Sequence, residues 1–112
     1  MIHEFNLNPV PFELIRTERK DIEMRLYDEK RKNIEIGDLI RFTNNQNDEK
    51  LTVEVVNLYR FDNFEQLYNN FDKERLGYLS NEKADFHDME EYYSIDKIKE
   101  YGVLAIEIKL IV

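Results

Sequence analysis

Residues 20–27 read Lys20-Asp21-Ile22-Glu23-Met24-Arg25-Leu26-Tyr27. Apolar Ile22, Met24 and Leu26 alternate with Asp21, Glu23, Arg25 and Tyr27, and a period of two marks a strand with one buried face. Glu23 and Arg25 then project from one side, roughly 7 Å apart. Strict alternation places Lys20 on the opposite side, so the three charges converge only if the strand starts at Asp21 or kinks there. Once converged, Arg25 can fork two hydrogen bonds to a phosphate or carbonyl, and Lys20 can supply a point charge or a proton. Glu23 can accept from the exocyclic amine of a splayed base. The plain alternative is a Lys/Arg–Glu ion pair on the solvent face of a strand.

Outward from this stretch the chain is mixed. Asn8 before Pro9 fits an N-cap with proline at the first helical position, predicting a helix from Pro9 to Arg19 with Phe12 and Ile15 inward. Ile34 and Ile36 lead into a Gly37-Asp38 turn, and Leu39 to Thr43 reads as a second strand. The polar run Asn44 to Lys50 suits a hairpin loop. Leu51, Val53 and Val55 open a long strand whose phase slips by one before Val56 and Leu58, as a β-bulge produces. Asn63 with Gln66 resembles a capping box, and Phe64, Leu67, Tyr68 and Phe71 follow helical spacing. Gly77 to His87 reads as irregular, Met89 to Tyr93 as a helical turn, and Ser94 as the cap of a helix over Ile95 to Tyr101. Leu104, Ile106, Ile108 and Leu110 alternate with Ala105, Glu107 and Lys109 in a closing strand. The fold class expected is α+β, a small β-barrel with short helices packed across its openings.

The chain has 112 residues, 42% hydrophobic and 12% aromatic, which suits one domain over residues 1–112 with a core of its own. It has no cysteine, which removes disulfides, thiolate metal sites and cysteine nucleophiles. A formal charge of −8 argues against coating duplex DNA. The charge is uneven: residues 16–32 carry seven basic groups against five acidic ones, so an anionic partner should prefer this part. With no leader pattern and no long apolar run, a cytoplasmic protein without membrane contact is expected.

The stretch Lys20 to Arg25, trailed by Ile36-Gly37-Asp38, resembles the signature of the ASCH domain, Gly-x-Lys-x-x-Glu-x-Arg, carried by a PUA-like β-barrel. Glu23 to Arg31, Arg60-Phe61, Gly77-Tyr78 and Met89 to Ser94 resemble a small stand-alone bacterial and archaeal branch of that family. The signature glycine is replaced by Glu18, which costs on the order of 1 kcal/mol if that position caps the helix left-handed. The resemblance implies RNA binding in a cleft beside the barrel. One small bacterial member removes the acetyl group of N4-acetylcytidine with a Lys, a Thr and a distant Glu. Lys20 matches the lysine, Glu23 stands where the threonine falls, and Glu74 and Glu82 lie in the region of the distant glutamate.

The expected function is therefore binding of single-stranded RNA, or of a nucleobase or nucleoside, in a cleft. The residues assigned to it are Arg19, Lys20, Glu23, Arg25, Tyr27, Arg60 and Tyr78, with Tyr78 as stacking platform. Two alternatives come from other classes. In one, Lys20 and Glu23 catalyse hydrolysis of an acylated nucleoside, which requires the Lys20 pKa to be lowered by desolvation or by Arg19 and Arg25. In the other, the acidic run Asp85 to Glu91 meets a basic protein partner. Asp85, His87 and Asp88 have metal-ligand chemistry, but no second histidine completes a set, so neither metal nor cofactor is expected.

Overall fold

Five strands and four short helices are described over residues 1–111 of a computed structural model. In chain order they are β1 (Ile2–Leu7), α1 (Pro9–Arg16), β2 (Ile22–Leu26), β3 (Leu39–Asn44), β4 (Lys50–Phe61), α2 (Phe64–Tyr68), α3 (Lys73–Leu76), a 3₁₀ helix (Phe86–Glu91), α4 (Ile95–Tyr101) and β5 (Val103–Ile111). The strands make one curled sheet in the order β1-β3-β4-β5-β2, antiparallel except for the parallel β1–β3 pair. The expected barrel is thus a half-barrel. The C-terminal strand lies inside the sheet, and β1 and β2 are its two free edges.

Alternation explains why both faces are dry. Phe5, Leu7, Ile40, Phe42, Val53, Val55, Leu104, Ile106 and Ile108 fill the inner face, where α1 inserts Phe12 and Ile15. Ile22, Met24, Leu26, Val103 and Ala105 point outward and are covered by Phe64, Leu67, Leu76, Met89 and Ile98 from the helices and the 3₁₀ segment. The register slips between Val55 and Asn57, so a bulge stands where the apolar phase breaks. It keeps Leu58 and Arg60 on the inner face after Val55, with Leu58 opposite Ile106 and Arg60 opposite Leu104.

Several boundaries differ from the sequence expectation. α1 stops at Arg16, because the Thr17 hydroxyl donates to the Glu13 carbonyl at 2.9 Å and Glu18 turns left-handed at φ 62°. Asn8 starts the helix without a side-chain cap bond. The turn expected at Met89 to Tyr93 is the 3₁₀ helix ending at Glu91, capped by the Asp85 carboxylate on the His87 amide. Strand β1 and helix α3 were not anticipated. Ser94 and Asn63 cap α4 and α2 as expected, though the Gln66 side chain returns to the Asp62 amide rather than to that of Asn63.

Candidate functional site: a cleft floored by buried charges

The turn after α1 sets the floor of the site. Amides of Arg19 and Lys20 both donate to the Leu14 carbonyl, at 2.9 and 3.1 Å, and the strand begins only at Ile22. That delay frees Lys20 from the alternation of β2. Its Nζ reaches 3.4 Å from Glu23 Oε1 and donates to the Leu76 carbonyl at 2.8 Å. Arg25, two residues along the same face, closes on Glu23 Oε2 through Nε at 2.9 Å and Nη2 at 2.7 Å. Nη2 also donates to the Asn6 carbonyl at 3.0 Å, bridging the free edge of β2 to that of β1.

These charges are not on a solvent face. Lys20 is 5% exposed and Glu23 4%. Gly77 makes room for the lysine: a Cβ there would stand 3.2 Å from Lys20 Cδ, and φ is +113° at this left-handed end of α3. Asp21 and Arg75 clamp the same junction with a two-pronged ion pair at 2.9 and 3.1 Å.

Above this floor lies a cleft of about 460 Å³. Its walls are Asn6, Leu7 and Asn8 at the end of β1, Val10, Pro11 and Leu14 on α1, Tyr68 on α2, Gly77-Tyr78, and Asp88, Met89 and Glu91 to Tyr93. The size falls among pockets that hold one small ligand, which run roughly 300–1,000 Å³. Lys20 and Arg25 against Glu23, Asp88 and Glu91 leave the lining with one negative charge in excess. A bare phosphate is poorly served there, and a neutral, flat ligand is better served.

Burial dominates the electrostatics. It pulls the Lys20 ammonium below the ordinary lysine range, and Glu23 offsets this only in part. For Glu23 burial pushes upward, but Arg25 and Lys20 together outweigh it and hold the carboxyl below its usual value. Arg25 loses to burial and gains more from Glu23, so it stays firmly charged. Lysine carries three donors and arginine five. With two donors on Glu23, one on the Asn6 carbonyl and one engaged with Tyr93 among the described residues, Arg25 keeps one of its five, and Lys20 has a donor beyond those given to Leu76 and Glu23. Both carboxylate oxygens of Glu23, by contrast, already face cations, so Glu23 orients Lys20 and Arg25 and is placed poorly to read a base edge.

The structure brings Lys20, Glu23, Arg25 and Tyr78 together and sets Arg19, Tyr27 and Arg60 apart from them. Arg19 is exposed and outside the cleft lining. Arg60 lies over the Tyr27 ring at 3.8 Å, and it lines a second groove with Phe61, Phe64 and Tyr101. Tyr78 is in the cleft wall but is held by its hydroxyl, whose single proton faces Asp88 Oδ2 at 2.7 Å and the Asp85 carbonyl at 3.0 Å, with Tyr68 Oη at 2.8 Å. Burial raises the Tyr78 pKa to about 12 and raises that of Tyr68 further. Tyr93, stacked on Phe64 at 6.0 Å, is the tyrosine facing Arg25, with its own pKa raised by burial. The acidic run is divided: Asp88 and Glu91 face the cleft, and Asp85 pairs with His87 at 2.8 Å. Among the described residues no group of three metal-ligating side chains converges, and no helix is long and apolar enough to cross a membrane.

Sequence reasoning missed Asn6, Tyr68 and Asp88 as parts of the site. A signal for Asn6 was present, since His3, Phe5 and Leu7 alternate with Glu4 and Asn6 as a strand requires. The meeting of Tyr68 with Asp88 depends on how α2 and the 3₁₀ helix pack, which has no local signature.

A curled five-stranded half-barrel with short helices outside and a charged cleft at its open seam defines a PUA-like α+β domain. The ASCH domain family model matches residues 5–112, and the chain belongs to that family. Hypothetical protein PH0355, known from a crystal structure, is 33% identical over 99% of this chain and 100% of its own, with a TM-score of 0.85. Protein PF0455 from Pyrococcus furiosus is 33% identical over 99% and 98%, with a TM-score of 0.76. The ASCH domain from Lactobacillus crispatus shares the fold at 13% identity, covering 96% of this chain and 79% of its own, with a TM-score of 0.62. No curated protein matches the chain.

Proposed function

We propose that this ASCH domain binds a single nucleobase in the cleft, presented either by single-stranded RNA or by a free nucleoside. The observation that carries the reading is the Lys20–Glu23–Arg25 ladder. It places two buried cations with spare donors at the floor of a cleft sized for one flat ligand. Those donors suit the carbonyl oxygens of a base. The wall supplies aromatic rings from Tyr68, Tyr78 and Tyr93, and a partly apolar side from Val10, Pro11 and Leu14. Calorimetric titration of the four ribonucleosides tests the reading. Binding of at least one is expected, lost in Arg25→Met and kept in Arg41→Ala, which removes only an exposed pair with Glu4. No binding by any nucleoside to folded protein overturns it.

One observation favours a second reading. Burial lowers the pKa of Lys20, and a lysine that gives up its proton more easily suits a general base in amide hydrolysis. Under this reading Lys20 and Glu23 act on an acylated nucleoside. Turnover of N4-acetylcytidine that disappears in Lys20→Ala supports it, and binding of the nucleoside without turnover removes it.

A further inference from the structure

The seam between the free edges of β1 and β2 holds a second cluster of cations that shares Arg25 with the cleft and adds Lys30 and Arg31, which the cleft does not use. Arg25 Cζ, Lys30 Nζ and Arg31 Cζ stand 4.6, 5.4 and 5.3 Å from the centre of one ring, that of Phe5. Two carboxylates answer them: Glu23 takes Nε and Nη2 of Arg25, and Asp28 takes Nη1 of Arg31 at 2.7 Å. Among the described residues Lys30 donates only to the Glu4 backbone carbonyl, at 3.3 Å. The cluster therefore keeps one positive charge in excess, in a chain whose net charge is −8. Arg31 Nε is the one buried side-chain polar atom without a hydrogen-bond partner among the described residues. Buried donors are paired with few exceptions, so an unpaired one calls for an explanation, and an anion is the one that fits a cluster in positive excess.

We infer that Arg25, Lys30 and Arg31 form an anion site that takes a phosphate group of the ligand whose base sits in the cleft. Arg25 belongs to both places. Its Nε side is held by Glu23 at the cleft floor, Asn6 and Tyr93 take two further donors, and one donor is left for a phosphate oxygen. Arg31 Nε and Lys30 Nζ supply the other donors to phosphate oxygens. The division makes electrostatic sense, because the cleft lining is in negative excess and suits a base, while the seam is in positive excess and suits a phosphate. The inference rests on the nucleobase reading for what lies in the cleft. The shared chemistry is a phosphate monoester or diester, from a free nucleotide or from an RNA strand.

The test follows the Arg31 Nε–H by NMR while inorganic phosphate, cytidine, cytidine 5′-monophosphate and a pentacytidylate are titrated in turn, with affinities from calorimetry. Phosphate is expected to shift Arg31 Nε. The monophosphate is expected to bind at least about tenfold more tightly than cytidine at low salt. The variant Lys30→Gln/Arg31→Gln should lose that advantage and keep cytidine affinity. Its salt slope for the pentacytidylate should fall by about 0.7 per charge removed. If Arg31→Gln unfolds the domain, Lys30→Gln alone, at an exposed position, should lose part of the advantage. Tighter binding of the pentacytidylate than of the monophosphate assigns the phosphate to a strand, and the reverse assigns it to a nucleotide. Cytidine that binds as well as its monophosphate, with Arg31 Nε unmoved by phosphate, overturns the anion site and leaves the cleft reading standing. Phosphate that moves Arg31 Nε while no nucleoside binds supports the anion site and overturns the cleft reading.

Discussion

Arg25 and Arg60 lie in one row of the sheet, each opposite Leu104 of β5 from its own side, yet they meet contrary surroundings. Arg25 is largely buried, forked onto the carboxylate of Glu23 and tied to the opposite sheet edge through Asn6. Arg60 is exposed and rests on the Tyr27 ring, and among the described residues no carboxylate pairs with it. The residue type and the face are the same. What differs is a buried anion and a neighbouring free strand edge, and these hold Arg25 in one fixed position. The Arg60 end is held by an aromatic ring that water can replace at little cost.

The largest expected break in that comparison is Glu23→Gln. It leaves two buried cations without their counter-charge and should lower stability by about 3–5 kcal/mol in urea unfolding. Arg60→Ala should cost no more than about 1 kcal/mol. Equal costs would mean that the two ends are not different in kind.

The pH dependence sharpens the same point. A native pKa below the unfolded one contributes stability that is present above the unfolded value and is lost as pH falls through the native value. For Glu23 the loss begins below about 4.5. Asp38, held by His3, the Glu35 amide and the chain's amino group, loses its share between 3.8 and about 2. In Glu23→Gln the part that starts near 4.5 should shrink, and the part due to Asp38 should remain. An unchanged acid limb would place Glu23 outside the buried ladder.

Gly77→Ala adds a smaller effect. Gly77 and Gly37 both have positive φ, at +113° and +95°, but only at Gly77 would a Cβ touch a neighbour, the Lys20 side chain. Each substitution should cost about 1 kcal/mol for the backbone. Gly77→Ala should cost more than Gly37→Ala and should also displace Lys20, seen as weaker nucleoside binding. The smallest effect is expected at Glu18→Gly, which removes a left-handed non-glycine residue and should stabilise by about 1 kcal/mol or less.

Much of this was legible in the sequence because it is local. The alternation in residues 21–27, the phase slip at Val56, the caps at Asn63 and Ser94, and the motif with its replaced glycine all mark features the structure contains. The condition under which Lys20 could join Glu23 and Arg25 was also legible, and the strand meets it by starting at Ile22. Burial was not legible, since an alternating strand looks half-exposed until helices are known to cover the outer face and a neighbouring edge to approach the inner one. Nor was the partner of Tyr78, or the separation of Arg60 from the cleft, because both depend on contacts between elements far apart in sequence. Tyr78 and Asp88 meet through the packing of the 3₁₀ helix, and Arg60 meets Tyr27 across β5.

The central claim is that the Arg25 end of the sheet, and not the Arg60 end, receives a base. Backbone NMR with cytidine, uridine, adenosine and guanosine tests it most directly. Saturable shifts clustered on Asn6 to Leu14, Lys20 to Arg25, Gly77-Tyr78 and Asp88 to Tyr93 are predicted for at least one nucleoside. Shifts confined to Arg60, Phe64 and Tyr101, or none with any of the four, would contradict it.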